Sequence, residues 1–145
     1  MTRSARVPVL LLVEDSDDDA YFFQRALNQL GKPHELKWLQ DGRTAVNFLQ
    51  RLQTGTAAPF ERPDLIFLDL KLPNFTGFDL LEWLYDNHSE LRVPIVVLSG
   101  SDHPGDMARA AALRAERYLV KPVTPRQLEQ VWTECGSGAA PPGSP

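Results

Sequence analysis

The stretch Asp64-Leu-Ile-Phe-Leu-Asp-Leu70 constrains this chain more than any other. Leu65 to Leu68 form an apolar run too short for a helix, with Pro63 before it and Pro73 after it. Such a run predicts a strand buried on both faces, the pattern of a central strand in a parallel sheet. It ends in a carboxylate, Asp69, and then in a loop. Ligands of open parallel sheets sit in the crevice beyond the carboxyl ends of the strands, so an acid there is placed for chemistry. A lone strand-end Asp also serves as a turn cap, and the choice between the two rests on the other strands.

Those strands repeat the arrangement. Val9 to Val13 is a second apolar run and ends in Glu14-Asp15. Asp17, Asp18 and Asp19 follow, and acids there suit the positive end of a helix dipole. They are assigned to the start of a helix that carries Ala20, Tyr21, Phe22, Phe23, Ala26, Leu27 and Leu30 at helical spacing and stops at Gly31. Leu36 and Trp38 belong to a shorter strand with some alternation, as expected near a sheet edge, and Asp41-Gly42 follows it. A helix is predicted from about Thr44 to Leu52, and then a long loop over 54–63, either functional or a tolerated insertion. Beyond the central strand come a helix from Gly77 to Asn87 and a buried strand from Pro94 to Ser99. An alanine-rich helix over 104–115 and a short strand from Arg117 that presents Lys121 and Pro122 come next. The last helix starts at Thr124, with Pro125 in its first position, and stops near Gly136. Residues 1–7 read as an extension, 8–136 as one domain, and 137–145 as a flexible tail with nothing to bury. Five strands alternating with five helices predict a doubly wound α/β fold with a parallel sheet and right-handed crossovers.

With 145 residues, 43% of them hydrophobic, the chain suffices for one domain with a real core. A net charge of −4 argues against a protein that coats nucleic acid, and no apolar run reaches membrane-spanning length. A single cysteine, Cys135, excludes an internal disulfide, reads as packing, and fits a cytoplasmic protein.

The strand ends therefore supply Glu14-Asp15, Asp69, Ser99 and Lys121. If the strands are parallel, all lie at one edge. Three carboxylates in one pocket resist ionising together, and a hard divalent cation relieves them; an all-oxygen site with open positions suits Mg²⁺. Serine hydrogen-bonds a phosphoryl oxygen, lysine neutralises one, and Gly100 keeps the approach clear. The pocket reads as one that holds a phosphoryl group on a carboxylate.

With those residues in place, the chain resembles a response-regulator receiver domain over roughly residues 8 to 136. The resemblance rests on Glu14-Asp15, Asp41-Gly42, Asp69 with Leu72-Pro73 and Gly77, Ser99-Gly100, and Tyr118-x-x-Lys121-Pro122. It implies the flavodoxin-like strand order 2-1-3-4-5, with Asp69 as phosphoacceptor. It further implies Asp15 as a Mg²⁺ ligand, Glu14 contributing directly or through water, and the Lys71 carbonyl completing the protein ligands. Ser99 and Lys121 then contact the phosphoryl group, Ser99 and Tyr118 act together as the switch with Tyr118 as its aromatic, and the bond before Pro122 is cis. The implied partners are a sensor histidine kinase and a downstream protein or phosphotransfer domain. The long loop and Asp69-Leu-Lys-Leu-Pro73 are similar to single-domain regulators that partner phytochrome-type kinases. Asn74-Phe75-Thr76 departs from the commoner loop residues and leaves the phosphoryl lifetime open. Homodimer formation is expected through the side bearing the fourth and fifth helices, with Val131 and Trp132 as apolar surface.

Three other readings fit the residues less well. A Mg²⁺-dependent aspartyl phosphatase of haloacid-dehalogenase type needs a second Asp two residues after the nucleophile, where this chain has Lys71. A flavodoxin-type flavin module needs a phosphate-cradling loop after the first strand, where Glu14-Asp-Ser-Asp-Asp-Asp19 would repel the ligand. A pseudo-receiver scaffold has no need of clustered carboxylates.

Overall fold

The computed structural model describes residues 7–55 and 62–136. The expectations for the extension before residue 7, for most of the 54–63 loop and for the tail after 136 lie outside the described residues. The chain runs β1 (Val9–Val13), α1 (Asp17–Asn28), β2 (Glu35–Leu39), α2 (Gly42–Thr54), β3 (Leu65–Asp69) and α3 (Gly77–Leu91). It continues with β4 (Ile95–Ser99), α4 (Pro104–Ala112), β5 (Arg117–Val120) and α5 (Pro125–Val131), the last drawn out into a wider turn over Trp132–Gly136.

All strand pairs are parallel, and the order is β2-β1-β3-β4-β5. The continuous apolar runs behave as their composition demands. β1, β3 and β4 are buried at every residue, because helices cover both faces. Successive side chains of a strand point to opposite faces, which divides the core in two. Leu11, Val13, Ile66, Leu68 and Val97 meet α2, α3 and Ala110 of α4 on one side. Leu10, Leu12, Phe67, Val96 and Leu98 meet Ala20, Phe23 and Leu27 of α1 and Leu128 and Val131 of α5 on the other.

Helix ends differ from the expected ones where caps act. Asp41 caps α2, its carboxylate accepting the Thr44 N–H at 2.7 Å, so the helix begins at Gly42 rather than Thr44. α4 ends at Ala112, and Arg114, in a left-handed conformation (φ 73°), ends the alanine-rich run short of residue 115. β2 shows no alternation: Leu36 to Leu39 are all half-buried, as on an edge strand covered on both faces. Val131 is 1% exposed and belongs to the core beneath α5, while Trp132 packs partly against it. Val131 therefore offers no surface for pairing between copies. The large apolar side chains left exposed among the described residues are Tyr21, Phe22, Tyr85 and Met107.

One glycine fixes the loop that follows β3. A Cβ on Gly77 would lie 2.3 Å from the Asp69 carbonyl oxygen and 2.4 Å from the Leu70 Cα, so α3 starts directly against the end of β3. Gly100, in contrast, faces open space. Gly77→Ala is expected to cost about 1–3 kcal/mol, read as a lower urea midpoint, whereas Gly100→Ala leaves the midpoint no lower than wild type.

Candidate functional site

The strand order reverses between β1 and β3, and the carboxyl ends of those two strands open the crevice where such sheets hold their ligands. Val13 pairs with Leu68, so Glu14 and Asp69 leave the sheet side by side. One carboxylate oxygen from each of Glu14, Asp15 and Asp69 lies within 4.8 Å of the others. Glu14 and Asp69 are buried, at 1% and 4% exposure, while Asp15 faces solvent. The Asp69 Oδ1 accepts the Lys71 N–H at 3.1 Å, and the Lys71 side chain is exposed. Glu14 is held from two directions: its Oε2 accepts the Ser16 N–H at 3.2 Å, and its carbonyl accepts the indole N–H of Trp38 at 2.8 Å.

Lys121 reaches the cluster from just beyond β5, where its backbone N–H is bonded to the Ser99 carbonyl at 2.7 Å. Its ammonium lies 2.8 Å from Glu14 Oε1, 2.8 Å from Asp19 Oδ2 and 3.4 Å from Asp69 Oδ2. The Lys121–Pro122 bond is cis. Burial works against the ammonium, but the hydrogen bonds to Asp19 and Glu14 and the charge of Asp69 outweigh it and raise the Lys121 pKa. The Glu14 pKa is raised as well, which for a carboxylate means that the charged form is disfavoured. Burial is the largest cause and Asp69 adds to it, so its pKa rises to about 7 even though Lys121 and the Ser16 N–H pull it down. One lysine thus faces more carboxylates than it can neutralise, and the donor set is all oxygen. That is a pocket suited to a hard divalent cation.

Ser99 is buried, and its Oγ accepts the Ser101 N–H at 3.1 Å. Tyr118 is half-buried, and its hydroxyl donates to the Ser101 carbonyl at 2.8 Å. Two residues expected to act together are therefore tied to one loop residue. Beside the cluster lies a cleft of about 390 Å³ lined by Glu14, Asp19, Phe22, Lys121 and Pro122, among others. Cys135 packs partly against the α1–α5 side of the core, away from all of this.

The structure brings Glu14, Asp15, Asp69 and Lys121 together and adds Asp19, which was assigned to the helix start alone. Both roles hold for Asp19: its N–H donates to the Ser16 Oγ at 3.1 Å as α1 begins. In a reciprocal capping box its carboxylate would turn back to the Ser16 N–H. Glu14 occupies that N–H instead, which leaves the Asp19 carboxylate for Lys121. What hides Asp19 in the sequence is that an acid in a first helical turn is already accounted for by the helix dipole.

Comparison with known proteins agrees with this geometry. The profile of the response regulator receiver domain matches residues 10–133. A probable methanogenesis regulatory protein, FilR2 of Methanothrix harundinacea, is 32% identical over 87% of this chain and 79% of its own length. Response regulator Rcp1 of Synechocystis sp. is 40% identical over 78% of this chain and 76% of its own. The Mn²⁺-bound crystal structure of Rcp1 superposes with a TM-score of 0.69, covering 92% of this chain and 93% of that one at 34% identity. The phosphorylated cyanobacterial phytochrome response regulator RcpA gives 0.71, with 91% and 93% covered at 30% identity.

The raised Glu14 pKa has a consequence for metal-free protein. Folded Glu14 takes up a proton below about pH 7, an unfolded-chain glutamate only below about 4.5. Between those values the folded state holds more protons, so stability falls as pH rises through the window, and the loss is complete above it. Lys121 is protonated in both states throughout and adds no slope. Urea midpoints of wild type against Glu14→Gln are expected to show this fall, on the order of 1–3 kcal/mol, in wild type only.

Proposed function

The chain belongs to the response regulator receiver domain family, and on that premise we propose that it accepts a phosphoryl group on Asp69 from a sensor histidine kinase and signals through protein contacts. The observation that carries this reading is the convergence of Glu14, Asp15 and Asp69 at the crevice, with the Lys121 ammonium 3.4 Å from Asp69 Oδ2. Asp69 is the buried nucleophile. As one of its oxygens bonds to phosphorus, the bond from phosphorus to the donor's imidazole nitrogen breaks, and that nitrogen keeps the electron pair. Lys121 neutralises an oxygen of the transferred group, and the Ser99 hydroxyl turns to donate to another. Asp15, Asp69 and the Lys71 carbonyl, with Glu14 directly or through water, are the residues that would hold Mg²⁺. When bound, that ion supplies charge neutralisation for the phosphoryl oxygens and for the carboxylates themselves. The protein acts on no other substrate in this reading; its chemistry is its own phosphorylation and dephosphorylation.

We assign the receiver function to residues 8–136. Rcp1 and RcpA, both response regulators, are matched over 93% of the chains in their crystal structures, which supports that assignment, and the output we propose is protein contact. RcpA is a phytochrome response regulator, which supports a phytochrome-type kinase as the donor. Phe22 lines the cleft beside Glu14 and Lys121, and Tyr21 and Phe22 are 58% and 57% exposed, which gives a protein donor apolar area next to the site. No helix among the described residues is long and apolar enough to cross a membrane, and a cytoplasmic location is the one we propose for this chain.

Incubation with acetyl phosphate and Mg²⁺ is expected to add one phosphoryl group by intact mass, and Asp69→Asn is expected to add none. A modified Asp69→Asn would overturn the assignment. For the output, the shared hold on Ser101 makes Ser99 and Tyr118 the proposed relay. Beryllofluoride, a phosphoryl mimic, is expected to change amide exchange over residues 101–120 in wild type and much less in Ser99→Ala.

A further inference from the structure

Asp19 stands apart from the other carboxylates of the site. It lies in the first turn of α1, its side chain is 43% exposed, and it makes one of the two shortest contacts of Lys121. The ammonium sits 2.8 Å from Asp19 and Glu14 but 3.4 Å from Asp69, the nearest oxygen of the residue that it is meant to serve. Lysine has three donors, and two of them are committed away from Asp69. Glu14 has a second use, holding the Ser16 N–H, whereas among the described residues the Asp19 carboxylate has no other partner so near.

We propose that Asp19 is a positioning residue that holds Lys121 back on the Glu14 side of the pocket, so that an arriving phosphoryl group must draw the ammonium away from it. The inference rests on the reading of Asp69 as the phosphoacceptor and deepens it. Two effects run in the same direction. Asp19 competes for the cation that the phosphoryl oxygens need, and its own charge repels them. Toward a metal cation the sign is reversed, since a carboxylate near the crevice attracts it. Loss of the Asp19 charge is therefore expected to move anion and cation affinity oppositely, which a merely structural role would not do. Asp19 is surface-exposed, so solvent screens it, and the effect of one unit charge is about threefold.

The test is calorimetric titration of Mg²⁺, and then of beryllofluoride at saturating Mg²⁺, into full-length wild type, Asp19→Asn and Asp19→Glu. Asp19→Asn is expected to bind beryllofluoride about threefold more tightly and Mg²⁺ no more tightly than wild type. Asp19→Glu keeps the charge and is expected to stay near wild type in both. Acetyl phosphate is expected to modify Asp19→Asn faster than wild type. Beryllofluoride affinity unchanged or lower in Asp19→Asn overturns the inference, and so does a gain for both ions, which would report a general relaxation of the pocket. Wild type that binds Mg²⁺ but takes neither acetyl phosphate nor beryllofluoride overturns the reading of Asp69 and this inference with it.

Discussion

Carboxylates brought to one edge of a parallel sheet repel one another, and this repulsion orders the rest of the site. Glu14 and Asp69 are buried side by side because β1 and β3 pair in register, so water is too scarce to screen them. Two responses are built into the chain. One is the proton that burial keeps on Glu14 up to about pH 7. The other is Lys121, drawn in from the far edge of the sheet with its stem half-buried and its head among three acids. Neither response neutralises the cluster, and the remainder is what makes the pocket receptive to a divalent cation.

The scaffold earns its place by making that crowding rigid. Both faces of β1, β3 and β4 are filled, by α2, α3 and α4 on one side and α1 and α5 on the other. Strands clamped in this way cannot slide to relieve charge at their ends, because a slip of one residue would turn every apolar side chain to the wrong face. Gly77 adds a local clamp, seating α3 against the backbone of Asp69 and Leu70.

The strand positions and the converging residues were legible because apolar runs end abruptly in polar groups, whereas the sheet order came only with the family resemblance. Val13 to Glu14, Leu68 to Asp69 and Val120 to Lys121 are all such junctions. What it concealed has physical reasons. Val131 looked like surface because a short helix with few apolar residues does not announce which side is covered; only the docking of α5 on Leu119 and Leu98 decides that. The start of α2 moved because Asp41 caps better than its neighbours. Asp19 was hidden by having two roles at once, a backbone role that is local and a side-chain role that depends on a lysine 102 positions away.

The indole of Trp38 gives this arrangement one further property. It sits on an edge strand, half in solvent, with its N–H bonded to the carbonyl of Glu14 itself. The backbone of a residue at the centre of the charge cluster is thus wired to a chromophore near the surface. Emission from such a ring depends on the polarity and hydrogen bonding at its nitrogen, so a shift of the Glu14 backbone on filling the crevice would be reported by the protein's own fluorescence. With Trp83 and Trp132 replaced by phenylalanine, Trp38 alone would carry that signal, an unlabelled optical gauge at the end of β1.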